Sequence, residues 1–269
     1  MRTYFQEMLK RKDLLYYLVK SGLKADNRNS YLGYFWWLLD PLLNVLVYYF
    51  LLKIVLNRGE EEPFAVFLVI GLVAWRWAQT TINSSAKSIM KHGSIINQVY
   101  LPKSIFPISV AFTQMVNFSF GLIIVATFLA FFGVMPGWQV VYIPLIILTQ
   151  LVFLLSIGMF LAYITVFVRD IDHLLTHVTR ILFYASPIIW AGGRLKGEEL
   201  VIGSTVISLD FLVDYNPIAI LVGSYRNVLM YQTNPDFLGL LNVFAISFLL
   251  FYVMIYFYSK NEHKIIKAL

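Results

Sequence analysis

Long apolar runs separated by short polar stretches set the pattern of this chain. Six runs reach the roughly 20 mainly apolar residues needed to cross a bilayer core, at 34–56, 63–83, 105–132, 140–168, 174–190 and 237–258. They predict an all-α integral membrane fold with six transmembrane helices. The fifth run is the weakest. His177 and Arg180 sit in its first half and Ser186-Pro187 interrupts its second, so it is expected to break or turn back. Ahead of the first run, Phe5, Met8, Leu9, Leu15, Tyr16, Val19 and Leu23 recur at helical spacing, with Lys10, Arg11, Lys20 and Lys24 between them. That is a basic amphipathic interface helix over 1–30, either a headgroup anchor or a contact for a partner. Before the last run, Asn216-Pro217 makes a good helix start. Ile218, Leu221, Val222, Tyr225, Val228 and Leu229 follow on one side. An amphipathic or re-entrant helix is expected there, within an extracellular helical segment at 191–236.

The loop after the second run reads SSAKSIMKHGSIINQVYLPKSIFP. It is too polar to span and too organised for a linker. Residues 85–92 suit a short helix that Gly93 ends, and Pro102 and Pro107 bracket the start of the third span. A short basic helix carrying Ser85, Lys87, Ser88, Ile89, Lys91 and His92 suits docking onto a soluble protein; an ordinary surface loop is the plainer reading. The turn VRDIDH at 168–173, with Arg169 and Asp170, is a weaker candidate for the same task.

Composition agrees with a membrane protein. Of 269 residues, 59% are hydrophobic and 13% charged, against about 45–50% and about 25% in soluble domains. Lys and Arg orient the spans. Arg2, Lys10, Arg11, Lys12, Lys20, Lys24 and Arg28 precede the first, Lys87, Lys91 and Lys103 fall between the second and third, and Lys260, Lys264 and Lys267 follow the last. The alternate loops are acidic, uncharged or mixed. Both termini are therefore expected in the cytoplasm, and the formal charge of +6 follows from this rule without nucleic-acid binding. There is no cysteine, which excludes disulfides and thiol chemistry. A long charged segment precedes the first span, so no cleavable signal peptide is expected.

Ionisable residues inside spans mark function by default. Trp37, Asp40, Asn44 and Tyr48 lie three and four apart on one face of the first span. Arg76, Thr80 and Asn83 do so in the second, and His173, His177, Arg180 and Tyr184 in the fifth. Asn, Thr and Tyr commonly serve helix packing, whereas Asp40, Arg76 and Arg180 either pair with one another or line a hydrated route. Aromatics reach 17%. Trp36, Trp37, Tyr48, Tyr49, Tyr184 and Trp190 have ring faces on which sugars stack, although Trp75, Trp77 and Trp138 suit an interfacial belt.

His173 and His177 lack a third ligand, so no metal site is expected. No Gly-Lys pair occurs, which removes the phosphate-binding loop through which many ATPases hold nucleotide. Transport against a gradient would draw energy from another subunit.

The basic amphipathic start, SYLGYFWWLLDPLLN, SIMKHGSIINQVYLPKSIFP, VRDIDHLL, SPIIW and YNPIAILVGSYRNVLM occur in an order that resembles the membrane subunits of ABC exporters for lipid-linked cell-surface polymers. These include the wall teichoic acid, O-antigen and capsule exporters, and the resemblance covers nearly the whole chain. It implies a homodimer in a bacterial cytoplasmic membrane with two copies of a cytoplasmic ABC ATPase. ATP and Mg would be bound there and no cofactor by this chain. It implies a coupling helix at about 85–98, a second contact at 168–173, and a route lined by spans one and five. Trp37, Asp40, Asn44, Tyr48, Arg76, Arg180 and Tyr184 are the expected substrate-pathway residues. Arg76 departs from the family, which usually has an apolar or aromatic residue there; it contacts polymer or pairs with an acid. The expected cargo is a polymer on undecaprenyl diphosphate, with Arg28, Lys87 or Lys103 near its headgroup. Lys53, Arg76 and Arg180 favour polyanionic teichoic acid, with O-antigen or capsular polysaccharide as the alternative. The rivals are a drug or lipid exporter, a membrane-embedded enzyme and a passive channel.

Overall fold

Every backbone N–H and C=O inside a bilayer must find its partner within the protein, so the apolar runs coil into helices. The computed structural model describes residues 2–25, 31, 33–57, 62–96, 101–195, 197–202, 205–208 and 210–268. In chain order the helices are α1 (Arg2–Lys10), α2 (Lys12–Ala25), α3 (Trp36–Tyr49), α4 (Phe64–Lys91), α5 (Gly93–Ile96), α6 (Ile105–Phe131), α7 (Ile143–Phe167) and α8 (Ile171–Ala185). A hairpin of β1 (Glu199–Ile202) and β2 (Thr205–Ser208) follows, then α9 (Phe211–Asp214), α10 (Pro217–Leu229) and α11 (Phe237–Ala268).

Among the described residues, five helical stretches are long and apolar enough to cross a membrane: Trp36–Val55, Phe64–Lys91, Ile105–Phe131, Trp138–Phe167 and Phe237–Ala268. The sixth run expected, 174–190, is not of that length. It forms α8, whose 15 residues rise about 22 Å at 1.5 Å each, short of a core about 30 Å thick. Ser186 is extended, with ψ 148°, because the residue before a proline is pushed out of the helical region.

The segment at 191–236 is also not wholly helical. Leu200, Val201 and Ile202 pair antiparallel with Ile207, Val206 and Thr205, and this β-branched content favours a strand over a helix. Asn216 caps α10 as expected, its Oδ1 accepting from the Ile218 N–H at 2.9 Å. But α10 is no surface helix. Ile218, Ala219, Leu221, Val222, Tyr225, Val228 and Leu229 are all buried.

The helix that fixes the others is α4. From Phe64 to Trp75 every side chain is buried, and a helix apolar all round belongs inside a bundle. It packs on α3, α6, α7, α8 and α10. By contrast α3 is peripheral, with only Pro41 and Val45 buried. Past Tyr49 it widens into π-type turns over Phe50–Val55.

The break after α8 is held by Arg226. Its guanidinium donates to the carbonyls of Pro187 at 2.6 Å, Ile188 at 2.6 Å and Phe67 at 3.2 Å, and lies 3.4 Å from the Phe67 ring centroid. Gly71 leaves the room for this. A Cβ there would meet Arg226 Nη2 at 2.5 Å and the Ile188 carbonyl at 2.6 Å.

A second cluster gathers both ends of the chain. Tyr4, Ile89, Ile96, Phe106, Met159, Tyr258 and Ile265 pack together, and the Tyr4 and Ser104 hydroxyls are hydrogen-bonded at 3.0 Å. The amphipathic start is therefore two helices, α1 and α2. α2 lies against α6 with Gly22 close to Thr113. Nearby, Lys103 is fully buried with Nζ 3.1 Å from Glu262 Oε1 on α11.

Replacing Arg226 by Ala would strip the buried Pro187 and Ile188 carbonyls of their donor, at about 1–3 kcal/mol each. We expect the unfolding temperature of the solubilised chain to fall by about 5–10 °C, and Gly71→Ala to lower it in the same direction. Glu262→Gln removes the carboxylate charge beside the buried Lys103 ammonium, a change that typically costs about 3–5 kcal/mol. Lys103→Met with Glu262→Leu should recover most of it, read by the same melting curve.

Candidate functional site

Two cavities lie against α3 and α4. One, of about 400 Å³, opens between α3, α4 and α6, lined by Trp36, Trp37, Asp40, Arg76, Trp77, Thr80, Ser84, Gln114, Asn117 and Phe118. The other, of about 550 Å³, opens between α3, α4 and α8. Its lining includes Asp40, Asn44, Tyr48, Trp75, Arg76, Gln79, Thr80, Asn83, Arg180 and Tyr184. Asp40, Pro41, Arg76 and Thr80 belong to both, so they are the wall between them.

That wall is an ion pair. Arg76 Nη2 donates to Asp40 Oδ2 at 2.7 Å, and the side chains stay 37% and 38% exposed. Arg76 thus pairs with an acid, one of the two roles its position left open. The exposure puts the pair in space that water can reach, where an intramembrane charge is tolerated. Pro41 has no N–H to offer the Trp37 carbonyl, which loosens α3 at this level. One turn on, the Asn44 amide donates to the Asp40 carbonyl at 2.8 Å. The Thr80 hydroxyl donates to the Arg76 carbonyl at 2.7 Å. Each element of the pair is thereby held by its own helix.

The polar stripes read from the sequence converge. Asp40, Asn44 and Tyr48 from α3, Arg76, Thr80 and Asn83 from α4, and Arg180 and Tyr184 from α8 line the larger groove. Tyr48 packs on Phe183, ring centroids 5.5 Å apart. Trp37 does not join them. It lines the smaller cavity, its ring tilted 45° against Phe120 with centroids 4.7 Å apart. His173 and His177 are exposed and outside both. No group of three metal-binding side chains occurs among the described residues. Gln114 and Asn117 were missed by the stripe argument. Their signal was there, two amides three apart in the third apolar run, where Asn117 Nδ2 now donates to Gln114 Oε1 at 3.1 Å.

The short helix expected at 85–92 is not separate from the second span. α4 runs on unbroken to Lys91 and bends only at His92, after which α5 starts at Gly93. Two turns without Gly or Pro give no reason to stop. Ser85, Ser88 and Ile89 point inward and are buried; Lys87 and Lys91 are exposed. His92 stacks on Phe106 at 4.8 Å. Residues 97 and 98 of the expected coupling segment lie outside the described residues, as does Arg28. Arg169 and Asp170 are exposed in the turn between α7 and α8. The two stretches are joined: Lys87 Nζ lies 2.9 Å from Asp172 Oδ1 in the first turn of α8. Lys103 cannot face a headgroup, since it is buried against Glu262.

Comparison with known proteins gives this arrangement a setting. Residues 13–198 match the family described as ABC-2 type transporter. The chain is 29% identical over 245 residues to an O-antigen export system permease protein RfbA of Myxococcus xanthus, covering 91% of each. It is 28% identical over 231 residues to an RfbA of Klebsiella pneumoniae, covering 85% of each. A second RfbA of that organism is 25% identical over 259 residues, 96% of this chain and 95% of the relative. With five spanning helices and a family match over most of its length, this chain belongs to the ABC-2 type transporters, as a multi-pass membrane transport subunit.

Proposed function

We propose that the chain is the permease of an ATP-driven exporter that carries a lipid-linked, O-antigen- or capsule-type polysaccharide across a bacterial cytoplasmic membrane. The observation that carries this is the groove between α3, α4 and α8. It is polar, about 550 Å³, and walled by hydroxyls, amides and aromatic rings together with the Asp40–Arg76 pair and Arg180. Such a surface suits a hydrated glycan and is costly to cover with an acyl chain. The names of the relatives support the same cargo.

Teichoic acid becomes the second reading. Its case rested on Lys53, Arg76 and Arg180 meeting a polyanion. Lys53 is engaged by Glu62 and Arg76 by Asp40. Only Arg180 makes no ion pair among the described residues.

In this reading both termini face the cytoplasm, as the Lys and Arg distribution favours. Two copies of the chain bind two copies of an ABC ATPase, which holds ATP and Mg. The ATPase presses on the exposed Lys87–Lys91 end of α4 and on Arg169 and Asp170. The Lys87–Asp172 pair passes that displacement to α8, which carries Arg180 and Tyr184 into the groove. The glycan follows a route through Asp40, Asn44 and Tyr48, its undecaprenyl diphosphate anchor staying in lipid.

The test is reconstitution with the partner ATPase in liposomes, comparing an undecaprenyl-diphosphate-linked neutral glycan with a phosphate-linked one. Turnover stimulated and cargo moved by the neutral glycan is expected. Stimulation by the phosphate-linked polymer alone returns teichoic acid to first place, and no response to either removes the exporter reading. Asp40→Ala should cut glycan export several-fold while assembly with the ATPase persists; normal export would remove α3 from the route. Lys87→Glu should uncouple ATP turnover from export, and adding Asp172→Lys should restore coupling by reversing the pair. Failure of that rescue would assign Lys87 to a direct ATPase contact.

A further inference from the structure

The smaller cavity is not on the route just described. It lies on the far side of the Asp40–Arg76 pair, between α3, α4 and α6, and no residue of α8 reaches it. We propose that it is a binding site for a neutral hexose unit, a station where one sugar of the glycan rests beside the groove. This deepens the polysaccharide reading and depends on it.

The cavity's chemistry selects the ligand. At about 400 Å³ it falls in the usual range for small-molecule sites, about 300–1,000 Å³. Its polar groups include two amides, Gln114 and Asn117, the Thr80 and Ser84 hydroxyls, indole N–H groups and the Asp40–Arg76 pair. Covering these with hydrocarbon leaves hydrogen-bonding groups without partners, which excludes a lipid tail. The pair's opposite charges at 2.7 Å cancel at a distance, and among the described residues no further cation lines the cavity. A diphosphate would find no excess of positive charge there. What remains is a hydrated, uncharged molecule with many hydroxyls and one apolar face. Trp36 and Trp37 supply indole surface for that face, and Trp36 is itself 37% exposed. Amides and a carboxylate beside indole rings offer a sugar donors, acceptors and a C–H stacking surface together.

The chain's lack of cysteine gives a clean test. Ser84→Cys places a sole thiol on this cavity and not on the groove. The full chain in liposomes would be labelled with a water-soluble methanethiosulfonate. N-acetylglucosamine, glucose, galactose, mannose or inorganic pyrophosphate would be added as competitor. We expect at least one sugar to slow labelling, about threefold at a concentration of about twice its Kd, and pyrophosphate not to. Gln114→Leu with Asn117→Leu on the same background should keep the thiol reactive and remove the protection. Protection by none of the sugars, equal protection by pyrophosphate, or protection that survives the double substitution would each overturn the proposal. Export of neutral glycan by the unmodified transporter, measured in parallel, separates the two readings. Export without protection removes this site alone, whereas no export removes the polysaccharide reading itself.

Discussion

A carbonyl without an N–H partner cannot remain so in a bilayer, and the architecture turns on how two of them are served. α8 stops at Ser186-Pro187, which frees the carbonyls of the buried Pro187 and Ile188. Arg226 reaches both, and the Phe67 carbonyl of α4 besides. To do so α10 must come inside the bundle, Gly71 must lack a side chain, and Asn216 must tie the start of α10 to Ser186 Oγ at 2.8 Å. A short α8, a buried α10 and an apolar α4 are thus one solution to one backbone problem. Arginine suits it because its planar fork serves several acceptors at once, which a lysine ammonium does less well.

With that corner fixed, α4 has two kinds of neighbour. Its first half is enclosed by apolar surface, whereas its second half carries Arg76, Gln79, Thr80, Asn83 and Ser84, where α3, α6 and α8 stand far enough off to leave space. The groove is a consequence of that change in composition along a single helix. The same helix continues past the membrane-buried stretch to Lys91 without a joint, so a force on its end is transmitted rather than absorbed. The Lys87–Asp172 pair adds a second connection, from the end of α4 to the start of α8. Both walls of the groove can therefore be reached from one place.

The sequence disclosed some of this and hid the rest for physical reasons. Periodicity put Asp40, Asn44 and Tyr48 on one face, because spacing alone determines which side chains share a helix face. The weak fifth run and the Asn216-Pro217 cap were legible because proline and capping asparagine act locally. Whether a cation faces outward is not local. Lys103 looks like a surface lysine just ahead of α6, yet Glu262, 159 positions on in sequence, takes it inside. Arg226 reads as one polar residue on an amphipathic helix, and only the break far behind it explains its burial. The boundary between the second span and 85–92 was placed by polarity, but helix continuity follows from backbone propensity, which polarity does not interrupt. Trp37 shared the stripe of Asp40 and still fell on the other side of it, since a stripe three to four residues apart drifts around the helix and α3 has a neighbour on each flank.

The Asp40–Arg76 pair limits what the site can select. An isolated Arg76 would give the groove a fixed positive charge and favour any anion. Paired, it contributes shape and hydrogen-bonding capacity with little net field, and its two faces are offered to two cavities. What the pair leaves for selection is hydroxyl against amide and ring against C–H face, with Arg180 as the groove's remaining unpaired cation among the described residues. Such contacts are individually weak, and weak contacts let a long chain of similar units advance without being held at any one of them. On the polysaccharide reading proposed above, an exporter of repeating sugars would need that balance more than affinity, and the pair would serve it by cancelling the strongest interaction that α3 and α4 could otherwise make.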